Sequence, residues 1–343
     1  MSTMPSKFER SDRPQRKTRG NIVIAFEGYK TEPLYFKHLE ESRFFPNSEL
    51  SLVPLWRDLS KINDSNPVKV LQFLKENQEW IESEDDICPV NLFLRKYLHT
   101  VAWKFKKGLY DKLYPHQEQN GNRLKLKFPV FENYMQNLLQ ILDVKGLVGA
   151  DGKVKISKSL APINEFMKTV FPEYDFSEEI KPYSFKKPCN FNENYYVMLV
   201  DRDQKTFGKK IVEEVRSGCS QHGYKLILTS PYFELWLTLH FEKYEKEKLL
   251  EFVKEEVQLI YEQGIPKSDI GRSLGPKRYM ELLKPGYTKN GTFEWVKRSD
   301  IDRALANSED LCTNLDMLVQ ELRSNDLSSV GTNIKELFDL LKE

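Results

Sequence analysis

This chain has almost no net charge. Its 52 lysines and arginines stand against 51 acids, leaving +1 over 343 residues. That balance excludes a protein whose overall field holds nucleic acid or a membrane surface, so any such contact must come from a local patch. Cysteine is scarce. Cys88, Cys189, Cys219 and Cys312 are scattered, and none forms a C-x-x-C pair. Neither a zinc site nor a disulfide framework is indicated, and a reducing cytoplasm is the plain reading. The five histidines show no H-x-x-x-H spacing. No apolar run approaches the roughly 18 residues of a membrane span. The N-terminus, MSTMPSKFERSDRPQRKTRG, is polar and basic without the apolar core of a secretory signal; residues 1–20 read as a disordered basic arm. Repeats and long low-complexity tracts are absent as well.

What is present is an alternation of strand and helix patterns that stops and restarts. At 40% hydrophobic and 30% charged residues the chain is a soluble globular protein, long enough for about two or three domains. Ile22–Phe26 reads as a strand. Thr31-Glu32-Pro33 looks like a helix start, with an N-cap residue, an acidic first turn and an early proline. Leu50–Leu55 reads as a strand whose Pro54 argues for a sheet edge, and Pro67–Ile81 has helical spacing. From about Glu82 to Glu193 the alternation lapses. This stretch reads as an inserted, mainly helical subdomain, with helix-like segments at Val90–Leu109, Pro129–Leu142 and Pro162–Phe171. Alternation resumes with a strand at Tyr195–Val200, a helix near Lys209–His222 and a strand at Tyr224–Thr229. Ser230-Pro231 then caps an apolar helix, Tyr232–Phe241. Residues 242–343 read as a helical, highly charged C-terminal region. The core parts of the fold are thus 21–81 and 194–241, an α/β class with a small parallel sheet.

Two strand runs end in acids. The first stops at Glu27-Gly28 and the second at Asp201-Arg202-Asp203. In an open parallel sheet, ligands collect at the carboxyl ends of the strands. Three carboxylates there suit a hard cation that takes oxygen ligands, magnesium first and manganese in its place. In extended geometry Asp201 and Asp203 share a face, and their mutual repulsion calls for a cation or a proton between them. The plain alternatives are a rim carboxylate that binds nothing, for Glu27, and an Asx-turn leaving the strand, for D-x-D. Glu234 lies in the first turn of the next helix, where the dipole favours a carboxylate. Since that helix follows the next strand, Glu234 could sit at the same edge. Trp236, Leu237, Leu239 and Phe241 read as core, and His240 as a satisfied polar group. A glutamate at one strand end with D-x-D at another resembles the toprim pattern of topoisomerases, primases and certain nucleases.

FEGYKTEPLYF, LVDRDQ and SPYFELWLTLHF together resemble the RloB family, toprim-fold proteins of prokaryotic defence loci, and are similar to abortive-infection toprim effectors. The later LGPKRYMELL and YTKN stretches resemble the family's C-terminal portion. The resemblance covers about Asn21–Ile81 and Tyr195–Asn290. It implies a toprim-like parallel sheet flanked by helices, metal-dependent phosphodiester chemistry on nucleic acid, and a partner ATPase from the same locus. It assigns the first acid to Glu27, the D-x-D to Asp201 and Asp203, and the acid of the F-E-L-W block to Glu234. The insertion is longer than the resemblance leads one to expect.

On this reading Asp201 and Asp203 hold the metal, with Glu27 as a further ligand or as the base that activates water. Lys30 and Arg202 are candidates for phosphate neutralisation. The insertion interleaves Arg95, Lys96, Lys104, Lys106, Lys107, Lys112, Arg123, Lys125 and Lys127 with Tyr97, Trp103, Phe105, Tyr110 and Tyr114. Such a pattern suits a nucleic-acid backbone with base stacking, although a wet helix face looks the same. The expected partners are RNA, such as tRNA, or DNA, together with the ATPase; a homodimer is compatible with them. Tyr29 invites comparison with a topoisomerase nucleophile, but the strand-passage domains such enzymes carry are missing. A primase-like transferase is disfavoured by the lack of a Walker-type glycine loop. The alternative from another class is a non-enzymatic toprim regulator that docks on the ATPase or binds nucleic acid.

Overall fold

The computed structural model describes residues 20–28, 30–56, 66–105, 109, 113, 116–117, 125–126, 128–189, 193–203, 207–289 and 291–342. The basic arm up to residue 19, Tyr29, Lys106, Lys107, Lys112, Tyr114, Arg123 and Lys127 lie outside the described residues.

The chain opens with β1 (Gly20–Phe26), α1 (Thr31–Glu41), β2 (Leu50–Pro54) and α2 (Pro67–Ile81). The insertion follows with β3 (Ile87–Pro89), α3 (Val90–Lys104), α4 (Phe128–Val144), β4 (Lys153–Lys155) and α5 (Ile156–Val170). The sheet then resumes with β5 (Glu193–Asp201), α6 (Lys209–His222), β6 (Lys225–Ser230) and the short α7 (Glu234–Thr238). The C-terminal region contributes α8 (Lys246–Glu256), α9 (Gly275–Leu283), α10 (Arg298–Ser308), β7 (Gly331–Thr332) and α11 (Lys335–Leu340).

The main sheet has five strands in the order β2-β1-β5-β6-β7. The first four are parallel, and β7 closes the far edge antiparallel. β2 is an edge strand, as Pro54 predicts. Both faces of the sheet are covered, which explains the near-continuous apolar runs of the central strands. Ile22, Ile24, Phe26, Val197 and Leu199 pack against α1 and the helices of the C-terminal region. The alternate residues Val23, Ala25, Met198 and Val200 pack against α2 and α6. Strand order reverses at β1, because β2 lies on one side of it and β5 on the other. The carboxyl ends of β1 and β5 therefore form a topological switch point, where open α/β sheets place their ligands.

The insertion has its own buried cluster, including Phe93, Tyr97, Leu138, Leu142, Ile163 and Met167. β3 and β4 pair antiparallel within it, a feature that the helical pattern does not disclose. α5 starts at Ile156, ahead of the expected Pro162, which lies inside the helix. The expected helix over Tyr232–Phe241 shortens to α7, although all of Phe233–His240 is buried. An almost buried ion pair, Arg95 to Glu76, joins α3 to α2. Arg95 therefore anchors the insertion instead of facing nucleic acid. Breaking a buried pair strands a charge and costs about 3–5 kcal/mol. Arg95→Met is expected to lower the urea midpoint accordingly, and Glu76→Gln with Arg95→Met should recover most of that loss.

Candidate active site

The site is assembled at the switch point. Parallel register sets Phe26 beside Leu199, and the Glu27 amide extends the ladder to the Leu199 carbonyl at 3.1 Å. From there the Glu27 carboxylate turns along the sheet edge, where Oε2 accepts the Asp201 amide at 3.0 Å. Asp201, the last residue of β5, accepts the Phe233 amide on Oδ1 at 2.9 Å. The ends of β1 and β5 and the approach to α7 are thus linked side chain to main chain.

Two further acids close on Asp201. Glu234, in the first turn of α7, is buried, and so is Glu32 in the first turn of α1. Burial, followed by the carboxylates of Glu32, Glu27 and Glu234, raises the Asp201 pKa well above the ordinary range; the Lys289 ammonium offsets part of this. Lys289 Nζ lies 2.9 Å from Glu234 Oε1. Burial alone would lower the Lys289 pKa, but Glu234, Asp201 and Glu32 more than reverse the effect. The loop carrying Lys289 is tied to α1, because Thr31 Oγ1 donates to the Lys289 carbonyl at 3.0 Å. Thr31 is thus not the N-cap its sequence position suggests; Lys30 holds that place without a side-chain cap bond. Gly28 lets the acids approach, since a Cβ there would collide with the Glu32 carboxylate.

Asp203 lies past the end of β5, and its Oδ1 accepts the Tyr261 hydroxyl at 3.2 Å. Tyr261 belongs to a π-helical turn, Val257–Glu262, that follows α8; such turns recur at functional sites. Glu27, Asp201 and Asp203 all line one open cleft of about 800 Å³. The C-terminal region supplies most of the remaining lining, including a basic wall of Lys267, Arg272 and Lys277 together with Glu256 and Lys289. Lys267 pairs with Glu256 at 3.2 Å and lies over the Tyr232 ring at 5.4 Å. Arg272 pairs with Glu255.

The sequence-based candidates divide accordingly. Glu27, Asp201 and Asp203 share the cleft, and Glu234 is packed behind it. Arg202 is turned away: it is buried, and its Nε and Nη2 donate to the Val319 carbonyl at 3.2 and 3.0 Å. Lys30 is half-buried at the start of α1 and is not among the lining residues. Lys104 pairs with Glu179 of the insertion at 3.7 Å. Lys106 and Lys107 lie outside the described residues. His240 is satisfied as expected, with Nε2 2.9 Å from the Tyr35 hydroxyl and Nδ1 3.0 Å from the Trp236 carbonyl. Burial lowers its pKa to about 4. Sequence reasoning missed Glu32, Tyr261, Lys289 and the basic wall. The YTKN and LGPKRYMELL stretches hold Lys289 and Lys277 and were the available signal.

The donor set is all oxygen, which fits a hard divalent cation. As placed, it is not a coordination sphere. Among the described residues, no three ligating side chains converge to hold a metal. An ammonium, Lys289, supplies the positive charge beside Glu234 instead.

No helix among the described residues is long and apolar enough to cross a membrane. No curated protein and no solved structure matches the chain. The profile of RloB-like proteins matches residues 154–341. That span contains Asp201, Asp203, Glu234, Lys289 and the basic wall, while Glu27 and Glu32 precede it. Since the match covers more than half of the residues, the chain belongs to the RloB family.

Proposed function

We propose that this protein is a metal-dependent endonuclease of the toprim type, an effector of anti-phage defence controlled by a partner ATPase. The observation that carries the reading is the cleft itself, which an acidic switch-point edge shares with Lys267, Arg272, Lys277 and Lys289. A phosphodiester needs both sides. Its backbone charge is balanced by cations, and the attacking water needs activation at the scissile bond.

In this reading Glu27, Asp201 and Asp203 hold magnesium or manganese. When bound, such an ion polarises the phosphoryl oxygens and activates water. Lys267, Arg272 and Lys277 hold the strand against the acidic edge. Glu27 keeps its orientation through the Asp201 amide, and Tyr261 sets the Asp203 carboxylate. Lys289, 2.9 Å from Glu234 Oε1, gives that buried carboxylate a counter-charge.

The deciding experiment incubates purified protein with labelled tRNA and with plasmid DNA, in magnesium, manganese or EDTA. It is run with and without the partner ATPase proposed here. Metal-dependent cleavage of either substrate is expected. A second reading, a non-catalytic regulator that docks on the ATPase, is favoured by the unconverged acids. Absence of cleavage under every condition, with a stable complex between the two proteins, would select it.

Gly28→Ala separates site geometry from stability. The atoms it displaces are the end of a flexible side chain, so thermal denaturation should shift little. Displacing Glu32 disturbs the acids around Asp201, and an error of about 1 Å at a reacting centre can cost about a hundredfold. A loss of roughly ten- to a hundredfold in cleavage is expected at near-normal stability.

A further inference from the structure

A second pocket, of about 230 Å³, lies between α2 and the insertion, away from the acidic cleft. Trp56, Phe73 and Trp80 come from the sheet-bearing part of the chain, and Lys96, Phe185 and Lys186 from the insertion. The pocket exists only because these two parts dock, and junctions of this kind are favoured places for ligands. Its lining is largely aromatic and basic, and among the described residues no carboxylate contributes to it. Two observations bear on what fits there. Trp56 is 45% exposed, a large aromatic surface. The Lys96 ammonium lies 4.5 Å from the centre of the Trp80 ring. A cationic lining selects an anion, and aromatic walls select a flat one. The volume lies below the range of about 300–1,000 Å³ typical of drug-sized ligands, so it admits one base with its sugar and not two.

We propose that this pocket binds a single nucleotide unit, with the base against Trp56 and the phosphate at Lys96 and Lys186. The unit can be a free mononucleotide or one residue of a single strand. The two share their recognition chemistry. The assignment does not depend on the acidic cleft being a nuclease site, because none of the residues invoked lies there.

The test is titration calorimetry on full-length protein with Lys267, Arg272 and Lys277 replaced by glutamine, so that the cleft does not contribute. The probes are 5′-AMP, hexathymidylate and inorganic phosphate. Saturable binding of AMP or of hexathymidylate is expected, and whichever binds identifies the source. Trp56→Ala should weaken it roughly tenfold, the scale of base–aromatic stacking, while Trp56→Phe restores most of it. Lys96→Ala should weaken binding and flatten its salt dependence. Circular dichroism checks that each variant is folded; Trp56 and Lys96 are both partly exposed, so their replacement leaves the cores intact. Failure of both nucleotide probes to bind overturns the proposal. So does phosphate binding as tightly as AMP, or wild-type affinity in folded Trp56→Ala and Lys96→Ala.

Discussion

Asp201→Asn and Glu27→Gln are each expected to reduce metal-dependent cleavage at least a thousandfold, because a lost ligand removes charge stabilisation and water activation together. Asparagine is the informative replacement at 201. Its side-chain oxygen can still accept the Phe233 amide, whereas alanine would leave that amide unpaired, at a cost of about 1–3 kcal/mol. Stability should move the other way from activity. Burial and the carboxylates of Glu32, Glu27 and Glu234 raise the folded-state pKa of Asp201. Unfolded, it titrates near 3.9. Above that pH the unfolded chain releases a proton that the folded, metal-free protein retains, and stability falls as pH rises towards the raised pKa. Asp201→Asn removes this penalty. Its gain in denaturation midpoint over wild type should be small near pH 4, grow as pH rises and shrink when magnesium is added. A variant that loses stability at neutral pH would show that Asp201 is not held among like charges.

Neutralising the basic wall should have the second-largest effect. With Lys267, Arg272 and Lys277 all changed to glutamine, nucleic-acid affinity should fall and its salt dependence flatten. Each lost phosphate contact removes about 0.7–0.9 from the slope of log affinity against log salt, so three contacts remove roughly 2 to 3. Glutamine is preferred to glutamate because Lys267 stands against Glu256, and a second carboxylate there would disturb the wall by repulsion. Lys104→Glu is the control: that side chain is engaged with Glu179 of the insertion and should leave affinity unchanged. If Lys104→Glu matches the triple variant, the strand runs over the insertion and not through the cleft.

The acidic edge was legible in the sequence for a simple reason. Apolar runs ending at Phe26 and Val200 mark parallel strands buried on both faces, and parallel strands share a carboxyl edge, so Glu27 and Asp201 had to lie on it. The edge position of β2 followed from Pro54, which cannot donate to a ladder. What local pattern could not show is where a long side chain goes once it leaves the backbone. Arg202 sits between two site acids in sequence, yet packing carries its guanidinium to Val319, 117 residues away. Lys104 looks like part of a basic stripe until Glu179, 75 residues on, engages it. Glu32 reads as an ordinary first-turn acid. It becomes part of the site because Gly28 leaves room for its carboxylate and α1 packs beside the end of β5.

The chain by itself determined the α/β class, the strand ends and the acids on them, because periodicity and strand termini are local properties of a polypeptide. Only the tertiary structure decided the rest. It brought Lys289 to Glu234, 55 residues earlier in the chain, and Tyr261 to Asp203, 58 residues earlier. It also brought the acids into one cleft with the cations of the C-terminal region. Those pairings depend on how separate helices pack over one sheet face, and the burial energy that selects the packing comes from the whole core, not from any segment of it.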